Sequence, residues 1–235
     1  MKKQLAKLAL TAALGLALTL LACEDKEKKQ TPTETQQPSQ EAAAEKVIEV
    51  VKGSFTDTRD NKTYKTVKIG EQVWMAENLN YETESSMCYD KDPANCQKYG
   101  RLYDWGTALS VCPSGWHLPS KDEWQTLVDL DKKAGKYLKA KSGWENNGNG
   151  TDNYGFSALP GGQCGFNCET DYGGCTIGNF SSVGHYGNWW TATECEDCGD
   201  SEGAYTQSIS DESVINSNNS SYSSGHLLSV RCIKD

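Results

Sequence analysis

Ten cysteines, three histidines, an Asn/Asp/Gly-rich stretch and a Trp doublet are the residues of this 235-residue chain whose types could do chemistry. Cys88 and Cys96 bracket Tyr-Asp-Lys-Asp-Pro-Ala-Asn, a loop short enough for a disulfide to close. Cys164-x3-Cys168 and Cys195-x2-Cys198 have spacings that a four-thiolate zinc site could use, but in an exported chain disulfides are expected instead. Glu145-Asn-Asn-Gly-Asn-Gly-Thr-Asp152 has the composition of a calcium loop. It lacks the Glu that an EF-hand needs at its twelfth position, where Phe156 stands, so a polar turn is expected. No cofactor is expected, and calcium is the one ion this loop could take. Trp144 and Asp152 flank that stretch, and of Trp189 and Trp190 one indole is expected in the main core, the other either packed under the excursion at 163–186 or exposed as a platform on which a sugar ring could stack. These four are the candidate ligand-binding residues. His117, His185 and His226 are the histidines, and His117, set in Trp-His-Leu-Pro, reads as structural. No His-Glu-x-x-His, Gly-x-Ser-x-Gly or Walker pattern occurs, so no catalytic residue is assigned and a non-enzyme is expected.

The elements that must position these groups follow from periodicity. Val67 and Ile69 share one face of a strand while Thr66 and Lys68 share the other, and Ser54-Phe-Thr precedes them across the turn chemistry of Thr58 to Lys62. Gly70-Glu71 is a second tight turn before a strand at Gln72–Met75. Leu102, Trp105, Leu109 and Cys112 recur at three- and four-residue spacing, which predicts a helix. Pro113, Gly115 and Pro119 then interrupt, and Ser120-Lys-Asp-Glu123 is a capping box opening a second helix with Trp124, Leu127 and Val128 as its apolar stripe. Phe156–Leu159 reads as a buried strand, residues 163–186 as a Gly- and Cys-rich excursion, and Asn216 to Ser224 as an Asn/Ser loop. Trp189–Thr193, Ala204–Ser210 and Leu227–Ile233 read as three more strands. Successive strand residues project to opposite faces, so the two indoles of the doublet cannot enter the same core. The fold class is α+β, a mostly antiparallel sheet with two helices grouped together.

The first 22 residues read as a targeting segment. Lys2, Lys3 and Lys7 are a basic start, Leu8–Leu21 is apolar but short, and Leu-Leu-Ala-Cys23 resembles the bacterial lipobox. That resemblance implies cleavage before Cys23, lipidation of its sulfur and stable anchoring by two or three acyl chains. The acidic start Cys23-Glu-Asp-Lys-Glu27 resembles surface-export signals of lipoproteins in Bacteroidetes-like bacteria, so an outer-membrane, surface-facing address is expected. From Glu24 to Lys46 there is no Val, Ile, Leu, Met, Phe, Trp or Tyr, the composition of a tether that would hold a domain about 25 Å from the bilayer. Without the leader, 20 basic residues face 32 acidic ones, a net charge of −12 that disfavours nucleic acid as a partner.

Several ordered motifs carry a family resemblance: Val73–Tyr81, Tyr99–Tyr103, Cys112–Pro119, Gly155–Gly162, Trp189–Glu194 and Ser229–Cys232. Together they resemble the Fibrobacter succinogenes major paralogous domain (FISUMP) family over residues 53–235, with residues 23–52 as lipidated Cys and tether. The resemblance implies an exported or lipid-attached bacterial surface protein. More remotely, helix, Ala-x-x-x-Cys, a short segment and Ser-x-x-Glu opening a second helix is similar to C-type lectin-like domains. That likeness implies disulfide-stapled long loops and a Cys112–Cys232 pair, since the equivalent Cys there bonds one in the last strand. The Glu-Pro-Asn and Gln-Pro-Asp triplets of sugar-binding lectins are missing. Formylglycine-generating enzymes share a related fold, but their reactive cysteines cannot be placed here. With Cys23 lipidated and Cys88–Cys96 and Cys112–Cys232 paired, Cys164, Cys168, Cys175, Cys195 and Cys198 remain, an odd number, so one thiol is expected free or paired between molecules. The function expected is a lipid-anchored, non-catalytic binding or adhesion module, with a glycan or surface protein as partner. A structural envelope protein is the alternative, and an enzyme of the formylglycine-generating type the third reading.

Overall fold

The hydrophobic alternation of residues 64–69 and the turns on either side of it build the start of one sheet. Strands β1 (Val50–Asp57), β2 (Lys62–Ile69) and β3 (Gln72–Met75) form an antiparallel meander. Gly70 supplies the positive φ of the second turn. The elements that follow are β4 (Ser86–Met87), α1 (Pro93–Tyr99), β5 (Leu102–Tyr103), α2 (Trp105–Val111), β6 (Trp116–His117), α3 (Lys121–Val128) and α4 (Ala134–Leu138). Next come β7 (Gly161–Glu169), β8 (Gly174–Val183), β9 (Tyr186–Glu194), β10 (Gly203–Ser210), β11 (Ile215–Asn216), β12 (Tyr222–Ser223), β13 (Leu228–Ser229) and β14 (Ile233–Lys234). The computed structural model describes residues 48–169, 174–195, 203–216, 222–223 and 226–235. The expected leader, Cys23, the tether and Cys198 lie outside the described residues, as does most of the expected 216–224 loop.

The class is mixed α+β and dominated by sheet. One sheet has the order β1-β2-β3-β14-β6, the other β11-β10-β9-β13-β5-β4. Pairing is antiparallel except where β9 meets β13 and β7. Strand β1 starts at Val50, and Ile48 and Val50 pack against the core.

Among the described residues four short α-helices replace the expected two. The Asp92 carboxylate accepts from Ala94 N and Pro93 occupies the first turn, so the Cys-bracketed loop carries a helix of its own. In α2 the Asp104 carboxylate accepts from Thr107 N at 2.9 Å and starts the helix at Trp105. Leu102 therefore lies in β5, Leu109 is 48 % exposed, and Ala108 and Val111 form the buried face. The capping box of α3 forms as read from the sequence, with Ser120 and Glu123 exchanging hydrogen bonds. Trp124 and Leu127 are buried beneath it, and Val128 is only half-buried.

Two stretches depart from their expected strand or loop. Phe156–Leu159 is buried at Phe156 and Ala158, but Ser157 has φ 53° and the segment makes one bridge, Ala158 to Lys139. Both oxygens of Asp152 hold that turn, accepting from Ser157 N and Ser157 Oγ at 2.8 Å each. The Gly- and Cys-rich excursion is a hairpin, β7 on β8, with Cys168 and Cys175 facing each other in the register.

The last expected strand, Leu227–Ile233, is two strands in two sheets. Ser229 pairs with β5 and β9, and Ile233 pairs with β3 and β6. Arg231 sits at the crossing and is fully buried. Its Nε and Nη2 donate to Asn78 Oδ1 at 3.1 and 2.7 Å, and Nη1 donates to Phe156 O. The guanidinium lies 4.3 Å from the Phe156 ring centroid and 5.8 Å from that of Trp189. Asn78 Oδ1 also accepts from Trp189 Nε1 at 2.9 Å, and Asn78 Nδ2 donates to Tyr99 O at 2.8 Å.

Trp189 and Trp190, both 0 % exposed, divide as strand geometry requires. Trp189 joins Trp74, Trp124 and Phe156 in one cluster, while Trp190 joins Tyr64, Tyr103, Val111 and Leu228 in the other. Trp190 Nε1 donates to Tyr103 O at 2.7 Å. Because both rings fill cores, Trp189→Ala and Trp190→Ala should each destabilise the domain by about 3–5 kcal/mol. Chemical denaturation checks this, and a variant that loses under 1 kcal/mol would show its indole to be dispensable.

The Arg231 hub gives a prediction of rank order. Asn78→Ala strands a buried guanidinium without its main acceptor, which costs about 3–5 kcal/mol. Arg231→Met removes the charge itself and should cost less. Urea midpoints in the opposite order would mean that the charge, not its pairing, stabilises the crossing.

Candidate functional site

The four residues singled out from the sequence do not meet at a surface. Trp189 and Trp190 are core residues, so neither is a platform for a sugar. The Trp144 indole is buried as well, with Nε1 donating to Ala158 O at 3.1 Å and the Lys139 ammonium 4.7 Å from its ring centroid. The Asp152 carboxylate is engaged by Ser157. The Asn-rich loop is shaped from within: Asn149 Oδ1 accepts from Trp144 N, and Asn146 Nδ2 donates to Asp211 Oδ2. Beneath it the buried Lys139 Nζ donates to Ser210 O and Asp211 O, and burial lowers its pKa to about 8. Among the described residues no three His, Cys, Asp or Glu side chains are grouped to hold a metal.

Among the described side chains the cysteines are disulfide-bonded or buried. Cys88–Cys96 and Cys112–Cys232 are disulfides, and Cys195 is disulfide-bonded too, which removes it from any thiolate set. Cys164 is a free buried thiol whose pKa burial raises, so it is inert as a nucleophile. The side chains of Cys168 and Cys175 lie outside the described residues.

Among the described residues a cavity of about 400 Å³ borders the Asn-rich loop at Asn146, Asn147 and Asn149, and a recess of two parts lies between the β1–β2 hairpin and α1. Two adjoining cavities of about 240 and about 670 Å³ share Lys62, Asn80, Cys96 and Gln97 in their walls. One wall is the start of β2, the floor is the segment after β3, and the other wall is α1 with its disulfide loop. The Cys88–Cys96 bond pins that loop to α1. Asn80 fastens the floor to both walls: its N–H donates to Tyr64 Oη at 3.1 Å and its Nδ2 to Cys96 O at 3.0 Å. Gly100 lets the chain pass, since a Cβ there would lie 2.7 Å from Leu79 O.

The hairpin tip is held by charge. Arg59 donates from Nε and Nη2 to the buried Asp57 carboxylate and from Nη1 to Val111 O, and its guanidinium lies 4.0 Å from the Tyr81 ring centroid. Burial alone would raise the Asp57 pKa, but the Arg59 hydrogen bonds and charge outweigh it and hold the carboxyl below its ordinary value. At the groove rim, Arg101 pairs with Glu82 at 2.8 Å and Lys65 with Glu77 at 3.8 Å. Lys98 Nζ lies 4.6 Å from the Tyr99 ring centroid. Cys88 and Cys96 were singled out in the sequence as a disulfide, but no groove residue was a ligand-binding candidate, although the Cys-bracketed loop and the motifs at 73–81 and 99–103 supply most of its walls.

His117 bridges the C-terminal residue Asp235 and Glu123 of α3. Its Nδ1 contacts Asp235 Oδ1 at 2.7 Å and its Nε2 contacts Glu123 Oε1 at 2.9 Å. Burial alone would lower the His117 pKa, but hydrogen bonds to Asp235 and Glu123 outweigh it and hold the imidazole above its ordinary value.

A family model described as the Fibrobacter succinogenes major domain matches residues 67–234. No curated protein and no solved structure matches the chain.

The His117 contacts set a pH dependence. A folded pKa above the unfolded one means that the bound proton stabilises the fold. The contribution is full below the unfolded value of about 6.5 and is lost as pH rises through the folded pKa. The melting-temperature gap between the native chain and His117→Gln should therefore shrink as pH is raised from about 6 through neutrality. A constant gap would show that the carboxylates do not grip the imidazolium.

Proposed function

We propose that this chain, which belongs to the Fibrobacter succinogenes major domain family, is a lipid-anchored bacterial envelope protein whose domain is a non-catalytic module for binding a glycan. The anchor is Cys23, reached by the lipobox-like Leu-Leu-Ala-Cys, and the polar stretch to Lys46 is the tether. The domain faces outward from the outer membrane. A C-type lectin-like fold is part of the proposal, supported by the Cys112–Cys232 bond that ties the end of α2 to the chain beside β14.

The observation that carries the binding reading is the groove between β2 and α1. It is walled by hydroxyl, amide and ammonium groups on a rigid frame, the chemistry that exchanges hydrogen bonds with sugar hydroxyls. Gln97 is the clearest case: it is exposed, lines both cavities and lies on a disulfide-pinned helix. Binding there leaves the two Trp cores untouched.

Two measurements test the proposal. Cys23→Ser should move the protein from the detergent phase to the soluble fraction, and lipid label persisting on that variant would refute the anchor. A glycan array and an insoluble-polysaccharide pull-down with the full chain should show retention that Gln97→Ala weakens by about 1 kcal/mol. Uniformly negative arrays, with a protein partner recovered by surface cross-linking, would favour a structural envelope role instead.

A further inference from the structure

The charges of the groove run against those of the chain. The protein carries a net charge of −9, yet the groove gathers Lys62, Lys65, Lys91, Lys98 and Arg101 from three separate segments. The carboxylates among them are mostly engaged. Glu77 is paired with Lys65, Glu82 with Arg101, and Asp60 accepts from Lys62 N at 3.0 Å to form the hairpin turn. No described carboxylate lies within ion-pair distance of Lys62, Lys91 or Lys98.

Lys62 is the most constrained of the three. It is half-buried at the junction of the two cavities, and its Nζ lies 6.0 Å from the Tyr64 ring centroid. Desolvation lowers its pKa and the nearby Arg101 charge lowers it further, while Asp60 and Glu77 oppose that without reversing it. An ammonium group placed where burial and a like charge both disfavour it gains from an arriving anion. Lys98 and Lys91 stand on the opposite wall, on α1 and on the disulfide loop. The cations are thus spread along the groove and not converged on one point, which suits a chain of single negative charges better than one phosphate.

We infer that this groove takes an anionic saccharide, with sugar carboxylates meeting Lys62, Lys98 and Lys91 and the hydroxyls meeting Gln97 and its neighbours. The inference rests on the glycan reading above and names the class of glycan. A polyphosphate fits less well, because nucleic acid binding needs many phosphate contacts and the strongly acidic remainder of the surface repels it.

The probe is polygalacturonate, applied to the full chain in affinity electrophoresis, beside its methyl ester, a neutral polysaccharide with the same backbone. Polygalacturonate should retard the protein, the ester should not, and about 0.5 M NaCl should abolish the retardation by screening. Lys62→Gln/Lys98→Gln should weaken binding by about tenfold with an unchanged melting temperature. Lys132→Gln/Lys133→Gln, outside the groove, should leave it unchanged. Equal binding of the ester would overturn the charge assignment and leave the glycan reading standing. Binding of polygalacturonate that survives the groove variant would place the site elsewhere, and stronger retardation by single-stranded DNA would overturn the ligand class. Failure of every polysaccharide to bind would remove both readings together.

Discussion

The Arg231 guanidinium is fully buried, and no described carboxylate forms an ion pair with it. Moving such a charge out of water costs several kcal/mol. Here that cost is offset by dipoles and ring faces: Asn78 Oδ1, Phe156 O and the Phe156 and Trp189 rings. Burial pushes the Arg231 pKa down to about 9, so the group is still charged at neutral pH and its partners must stay in place. The neighbouring geometry follows from this requirement. Asn78 is held by Tyr99 O, Phe156 O is turned inward, and Trp189 is oriented through its indole N–H.

These partners come from four of the motifs along the chain, and the hub explains why they occur together. Arg231 lies between β13 in one sheet and β14 in the other, so fixing it fixes the relation of the sheets. Cys232 beside it carries the disulfide to Cys112, and its carbonyl accepts from Met75 N at 3.0 Å. On one side of this seam Trp189 packs with Trp74 and Trp124, and on the other Trp190 packs with Tyr64 and Tyr103. A tryptophan doublet in a strand is a practical way to fill two cores from one element.

The groove is a by-product of the same seam. Asn78 and Tyr99, both bound into the hub, also form part of its floor and wall. Asn80 two residues on, and α1 with its disulfide, are therefore positioned by the core and not by a mobile loop. A surface recess built on such a frame keeps its shape before a ligand arrives, which lowers the ordering cost of binding. Its unpaired lysines are tolerable because they remain partly hydrated at the rim, unlike Arg231.

Much of the local structure was legible in the sequence because local rules produce it. The β1–β3 meander follows from two-residue alternation and turn residues. The start of α3 follows from one capping box, and the Cys88–Cys96 bond from a short bracketed loop. Family membership was readable from the ordered motifs. The Asp104 and Asp92–Pro93 helix starts were also present as signals, and they outrank the apolar spacing that extended α2 to Leu102. What the sequence could not decide was which face of each element lies inside and which distant groups meet. Phe156–Leu159 looks like a strand until Asp152 folds it, and Leu227–Ile233 looks like one strand until two sheets divide it. One ring of the Trp189–Trp190 doublet could pass for a binding platform until helices and strands far away in the chain cover both. Lys62 and Lys98 look like ordinary surface lysines until β2 and α1 set them around one groove. Propensity, capping and turn chemistry act over a few residues; burial and electrostatic environment are set by whichever segments the fold packs against them, and only the tertiary structure decides that.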